Sequence, residues 1–245
     1  MALRSNLSLY AAAALTVAAL TAMIPASASA SEKLAPGAAG ADISWPQCGG
    51  GYPAGYSFGI VGVTGGHPFS GNDCFASEFD WAWSTGSPQV YVNLDYGVRR
   101  DGPLKCASDD EGCQAYNYGY DSAQWAYGYA DSQSGGASSR LSNWWLDVET
   151  NNVWSESGDR NSYVIQGALD FLQRTAGKNA GVYSTSYQWG LIAGSYAPPG
   201  TPNWVAGANG LDDTGKCSAG FWPGAHVTAI QYLNWDLDLD QNRAC

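Results

Sequence analysis

Short apolar runs alternate with longer amphipathic stretches along most of the chain. Runs rich in β-branched and aromatic residues, bounded by Gly, Pro or Asn, predict strands at Asp42–Trp45, Phe58–Thr64, Val90–Asp95, Trp144–Glu149, Ala180–Ser184, Asn203–Ala206 and Val227–Tyr232. Asp236–Asp240 alternates acid and leucine with period two and predicts an eighth. Apolar residues spaced three to four apart predict helices over Cys74–Ser84, Cys113–Ser132, Asn161–Ala176 and Thr185–Ala193. Only about three residues separate the seventh and eighth strands, too few for a crossover helix and enough for a hairpin. Strands that alternate with helices predict a parallel sheet, and eight of them predict a closed α/β barrel of the TIM type, one domain over 42–245.

The stretch Asn143–Thr150 stands out. Trp144, Trp145, Leu146 and Val148 make it apolar on both faces, as in a strand buried in a parallel sheet, yet it closes on Asp147 and Glu149. Residues i and i+2 of a strand share a side, so both carboxyls face one space and one proton affinity should rise. A carboxylic acid that keeps its proton beside one that stays charged is the apparatus of glycoside hydrolysis. The competing reading has one acid capping the next helix and the other paired with a base.

The amino terminus changes the setting. Arg4, an apolar run from Leu9 to Ile24 and the small-residue stretch Ala26–Ala30 read as a secretory signal over 1–30, with a flexible leader over 31–41. No other run approaches a membrane span, so an exported, extracellular protein without a membrane anchor is expected. All six cysteines follow the signal, and an even number in an exported chain implies three disulfides. Proximity favours Cys106–Cys113, with Cys48–Cys74 and Cys217–Cys245 for the rest. A metal site finds no C-x-x-C pair, and only His67 and His226 to help. Of 22 acids and 11 bases, Arg4 leaves with the signal, so the remaining 22 acids against 10 bases give −12, which argues against nucleic-acid and anionic-membrane partners. The abundance of Trp and Tyr suits a carbohydrate binder as well as a tight core.

Five pieces in order resemble the glycoside hydrolase family 25 lysozymes, the Chalaropsis-type N-acetylmuramidases, in a secreted actinobacterial branch. They are Asp42-Ile43-Ser44-Trp45-Pro46-Gln47, Asp147-Val148-Glu149, Tyr183 through Trp189, Trp204-Val205-Ala206, and Gln231-Tyr232 with Asp240-Gln241-Asn242. The resemblance implies a flattened barrel of five strand–helix units and three further strands, (β/α)5(β)3, and cleavage of β-1,4 bonds in peptidoglycan. It implies Glu149 as general acid, Asp147 as the group that orients the substrate acetamide or stabilises a charged intermediate, and Asp42 and Asp240 as further acids of the cleft. Asp238, two residues from Asp240, competes for that last place. Tyr183, Trp189, Trp204 and Trp45 would be sugar-facing walls, and Gln231 a substrate-binding group; core packing is the other reading for the tryptophans. The chain departs from the family in having no His after the third strand, where Asn93-Leu94-Asp95-Tyr96 stands, and in the long stretch Arg99–Ser139.

No G-x-S-x-G, phosphate-loop or EF-hand pattern is present, and no cofactor is implied. A monomer acting on a polysaccharide is expected. The alternatives are the same fold acting on another extracellular polysaccharide, and a carbohydrate-binding module that cuts nothing.

Overall fold

The computed structural model describes residues 34–245. The expected signal peptide and the first three residues of the leader lie outside the described residues. The chain forms a closed barrel in which eight strands follow one another in sequence order: β1 (Ala39–Ile43), β2 (Phe58–Gly62), β3 (Pro88–Asn93), β4 (Asn143–Asp147), β5 (Asn179–Ser184), β6 (Asn203–Val205), β7 (Val227–Asn234) and β8 (Leu239–Ala244). Strands β1 to β7 are parallel; β8 runs antiparallel to both β7 and β1 and closes the ring. Helices α1 (Phe75–Ser84), α2 (Glu111–Gln133), α3 (Gly158–Asp170) and α4 (Ser186–Ile192) fill the connections from β2 to β6. The β1–β2 and β6–β7 connections hold only 3-10 turns, Trp45–Gln47 and Thr214–Ser218.

Alternation along the strands sorts side chains into two cores. Outward positions such as Val61, Val90, Val92, Leu146, Val148 and Val182 pack beneath the helices. Inward positions fill the lumen with Phe58, Ile60, Trp145, Trp204 and Ala229, and half-buried Tyr91 and Tyr183 pack on them. The adjacent Trp144 and Trp145 therefore go to opposite cores: Trp144 meets Tyr127 outside at 5.3 Å, and Trp145 meets Trp204 inside at 5.8 Å. Trp145 fits because its neighbour across the β4–β5 ladder is Gly181, whose absent Cβ would lie 2.4 Å from the indole. Helices α2 and α3 meet backbone to backbone at Gly119 and Gly167.

Two boundaries differ from expectation. The barrel begins at Ala39, within the stretch read as leader, because Ala39–Asp42 pair with Asp240–Arg243 of β8. The eighth strand is Leu239–Ala244, not Asp236–Asp240. Trp235–Asp238 form the hairpin turn, and Asp238 adopts a left-handed backbone at φ 48°. The pairing of Asp42 with Asp240 sets this register, and the polar inward residues Asp240 and Asn242 hid the strand from an apolar pattern. Disulfides Cys48–Cys74, Cys106–Cys113 and Cys217–Cys245, with Cα separations of 5.5, 5.6 and 5.6 Å, tie the β1–β2 loop to α1, close the loop before α2, and tie the β6–β7 connection to the last residue. Among the described residues no helix is long and apolar enough to cross a membrane.

Candidate active site

The lumen is apolar at one end and acidic at the other. Asp147 ends β4 facing inward, opposite Asn93 of β3 and Tyr183 of β5. The ladder continues past the strand: Leu94 N–H donates to the Asp147 carbonyl at 3.0 Å, and Val148 N–H to the Tyr183 carbonyl at 3.0 Å. The alternation therefore holds for two more residues and turns Glu149 to the same side as Asp147. The Trp154 indole and the Asn152 N–H both donate to the Glu149 carbonyl, at 2.8 and 3.2 Å, which fixes the backbone there. Asp42 at the end of β1 stands opposite Asp240 of β8. The four predicted acids thus come from three strands to the end of the barrel where the parallel strands finish, the end at which α/β barrels carry their chemistry. Asp238 sits exposed in the hairpin turn above them.

Three of the four acids are met by a side-chain amide whose oxygen is tied elsewhere. Asn93 accepts the Thr64 hydroxyl at 2.6 Å on Oδ1, so its NH2 group points at Asp147 Oδ2 and donates there. Gln188 accepts the Thr150 hydroxyl at 2.9 Å and offers Nε2 to Glu149 Oε1 at 3.3 Å. Gln231 accepts the Tyr183 hydroxyl at 2.8 Å and donates to both oxygens of Asp42 at 3.1 Å. Asn242 accepts the Trp204 indole N–H at 2.8 Å and donates to Asp42 Oδ2 at 2.6 Å. An indole can only donate, so it settles which end of Asn242 faces the acid. Asp147 Oδ1 is buried and has no partner among the described residues.

Burial and mutual repulsion raise the proton affinity of every member. Asp42 and Asp147 lie well above the ordinary carboxylate range, each first because it is buried, then because Asp240 repels Asp42 and Glu149 repels Asp147. Glu149 is half-buried and also raised by burial, with the Gln188 amide working the other way. Asp240 is pushed up to about 6 by burial and by Glu149 and Asp238. The four acids therefore interact, and each holds its proton to a higher pH than a free carboxyl would. Burial and the nearby acids likewise keep the Tyr91 and Tyr183 phenols protonated.

The aromatic walls expected from sequence separate. Tyr183 faces the acids and is half-exposed, and Trp45 stands at the rim, 52% exposed. Trp204 is 1% exposed; it is the floor beneath Tyr183, at a 4.4 Å ring separation, and reaches the site only through Asn242. Trp189 is 1% exposed and packs against Phe221 and Trp222 beneath α4, with its indole N–H on the Tyr196 carbonyl at 3.0 Å. Neither is available as a sugar-facing wall, because both are covered by other aromatic rings. Sequence reasoning missed Asn93, Thr64, Gln188, Asn242 and Tyr91. Strand parity carries the signal for Asn93 and Tyr91, which alternate on β3 toward the same lumen.

A family model described as lysozyme-like protein 1 matches residues 114–221. A probable GH family 25 lysozyme of Dictyostelium discoideum is 37% identical over 71 residues, which are 28% of this chain and 33% of that protein; the chain spans about a third of the length of this curated relative. Among solved structures, a family GH25 lysozyme from Aspergillus fumigatus superposes with a TM-score of 0.60 at 18% identity, covering 85% of this chain and 93% of that one. The bacterial lysozyme of Streptomyces coelicolor gives 0.57 at 19% identity, covering 85% and 92%. The modular autolysin LytC of Streptococcus pneumoniae, solved with a synthetic peptidoglycan ligand, gives 0.55 at 16% identity, covering 84% and 46%. The chain thus resembles a family 25 lysozyme over 71 residues by sequence, and shares the barrel fold of the solved lysozymes across 85% of its length.

Proposed function

We propose that this protein is an exported glycoside hydrolase that cleaves β-1,4 bonds beside N-acetylated sugars, with peptidoglycan as its substrate. The observation that carries the reading is the placement of Asp147 and Glu149, two residues apart, on the same side of an extended β4 end and beside Asp42 and Asp240. In this reading Glu149, the less buried of the two, is the acid that reaches the glycosidic oxygen and gives its proton there. Asp147 is then ionised and held by Asn93, and its free Oδ1 meets the acetamide N–H. The acetamide oxygen attacks the anomeric carbon as the leaving-group bond breaks. The amide proton passes to Asp147, whose raised proton affinity suits that task. Water then reverses both transfers and leaves the anomeric configuration retained. Asp240, opposite Asp42 at the same end of the barrel, adds negative charge that favours the positive character of the transition state. The signal-like amino terminus and the three disulfides support an oxidising, extracellular setting.

The test is reducing-end release from purified bacterial cell wall by wild type beside Glu149→Gln. Loss of the acid should lower kcat by about 10²–10⁴-fold, and mass spectrometry of the fragments names the bond. Wall binding without release by either protein would move the assignment to a non-catalytic module. Proton NMR of early product reports the anomer, and an inverted one would exclude the acetamide route. A second reading, another extracellular N-acetylated polysaccharide, is favoured by the net charge of −11, which opposes an anionic wall. Release from that polymer and none from cell wall would select it.

A further inference from the structure

The β7–β8 hairpin carries a feature that the cluster of acids does not use. Its last ladder pair is Asn234 with Leu239, and the four residues between them form the tip. Trp235 there is 82% exposed and Leu237 61% exposed. An indole left in water costs free energy unless something covers it, and large apolar side chains gathered on one projecting turn mark a binding surface.

The tip is firmly held. Asn234 folds its carboxamide oxygen onto the tip's own backbone, accepting from Asp236 N–H at 3.2 Å and Leu237 N–H at 3.3 Å. Its NH2 group donates to Gln241 at 3.1 Å, and Gln241 in turn bonds the Tyr56 hydroxyl. Asp238 takes the left-handed backbone that closes the turn, a conformation held only where the surroundings determine it. Trp235 is therefore presented on a braced support, and little freedom is lost when a ligand covers it.

The tip is also continuous with the acids. Gln231 lies on β7 and Asp240 on β8, so the two strands that place these groups in the cleft continue directly into the turn. On the other side β1 pairs with β8 through Asp42 and Asp240, so Trp45, three residues past Asp42, leaves the barrel at the same end.

We infer that the hairpin tip is a glycan-binding lip, in which Trp235 stacks on the face of a β-linked N-acetylhexosamine ring at least one position removed from the bond cleaved at Glu149. The occupant follows from the chemistry. A flat exposed indole with a negative π face matches the axial C–H face of a β-sugar, and a glycan strand leaving the cleft past Asp240 meets this tip. The inference rests on the glycosidase reading and extends it to the strand beyond the reacting sugar.

The test uses the full mature protein with Glu149→Gln to prevent turnover, titrated calorimetrically with β-1,4-linked N-acetylglucosamine oligomers of two and six units. Adding Trp235→Ala should weaken binding of the hexamer about tenfold and that of the dimer less than twofold. Trp235→Phe should recover most of the loss. Because Trp235 is on the surface, melting temperatures of these variants should match the parent, which separates a lost platform from a lost fold. If the Glu149→Gln parent binds the hexamer and Trp235→Ala binds it equally, or if dimer and hexamer suffer alike, the lip is overturned and the glycosidase reading stands. If the parent binds no glycan, both fall. Trp235-dependent binding to phosphatidylcholine vesicles, with no change toward glycans, would assign the tip to a lipid surface and overturn the inference.

Discussion

Asn93 acts only through its neighbours. Thr64 takes up its oxygen, so the amide must present N–H to Asp147 and favours the charged form of that acid. Asn93→Ala removes this donor. A hydrogen bond to a charged group is worth about 1.5–3 kcal/mol, so the proton affinity of Asp147 should rise further, by about one pH unit or more. The expected result is a tenfold or larger fall in kcat at pH 5, with the acidic limb of kcat/KM moved upward in pH and KM little changed. A lower kcat with an unmoved limb would mean that Asn93 supports the fold and not the ionisation of Asp147. At this scale the acids were legible in the sequence, because i and i+2 at a strand end share a side whatever the rest of the chain does. Their amides were not. The orientation of Gln188, Asn242 or Asn93 depends on which donor ties its oxygen, and Thr150, Trp204 and Thr64 are brought there by tertiary structure. The sequence resemblance points to Trp189 for the cleft, and the structure places its neighbour Gln188 there: successive helix residues diverge by about 100°, and only packing shows which face is wet.

At the scale of elements, the join between α2 and α3 is the most demanding. A Cβ on Gly119 would lie 1.9 Å from the Val164 carbonyl oxygen, and one on Gly167 would lie 2.0 Å from that of Tyr116. These obstacles are backbone atoms in two long helices and cannot rotate away. Gly119→Ala should therefore destabilise the protein by about 3 kcal/mol, at the upper end of overpacking costs. Gly128 in the same helix has open space around its Cβ position. Gly128→Ala should stabilise by up to about 1 kcal/mol through helix propensity and the unfolded chain. Urea unfolding of both variants checks this, and equal effects would show that the helices can slide apart. The periods of α1 to α4 were readable from apolar spacing, as were six of the eight strands; the first, expected over Asp42–Trp45, runs Ala39–Ile43 and gives way to a 3-10 turn at Trp45. The eighth was displaced because Asp236–Asp240 alternates as a strand does, while the true β8 carries Asp240, Gln241 and Asn242 toward polar neighbours. Period-two reasoning assumes that the inner face is apolar, and here the inner face changes character along the barrel axis.

For the whole molecule, the raised acids make a single prediction about stability and pH. Asp42, Asp147, Glu149 and Asp240 are raised in the fold, and so are Glu78, buried beside Asn72, and Asp95, partly buried beside Tyr118. Their ordinary values are 3.8 for Asp and 4.5 for Glu, and the folded values lie above these. Between the two values the folded chain binds more protons than the unfolded chain, so stability must fall as pH rises through that window. The excess of acids, 22 against 11 bases, adds repulsion of the same sign. Among the described residues the ion pairs Arg99–Asp121, Arg160–Glu111 and Arg174–Asp170 each have a well-exposed arginine and offset little of it. The melting temperature should therefore be highest near pH 4–5 and decline toward pH 8, the reverse of a protein whose carboxylates are held by bases. Asp147→Asn keeps the shape and removes one titrating group from the cluster, so it should be more stable than wild type at pH 7 and gain little at pH 4. Calorimetric scans of both proteins from pH 4 to 8 measure this directly. A wild-type melting temperature that climbs with pH across that range would show that the cluster is not strained in its charged state, and the acid assignment of Glu149 would lose its electrostatic basis. The expected decline would instead mean that the fold gives up stability at neutral pH to keep four acids together, the trade an active site makes and a core has no reason to make.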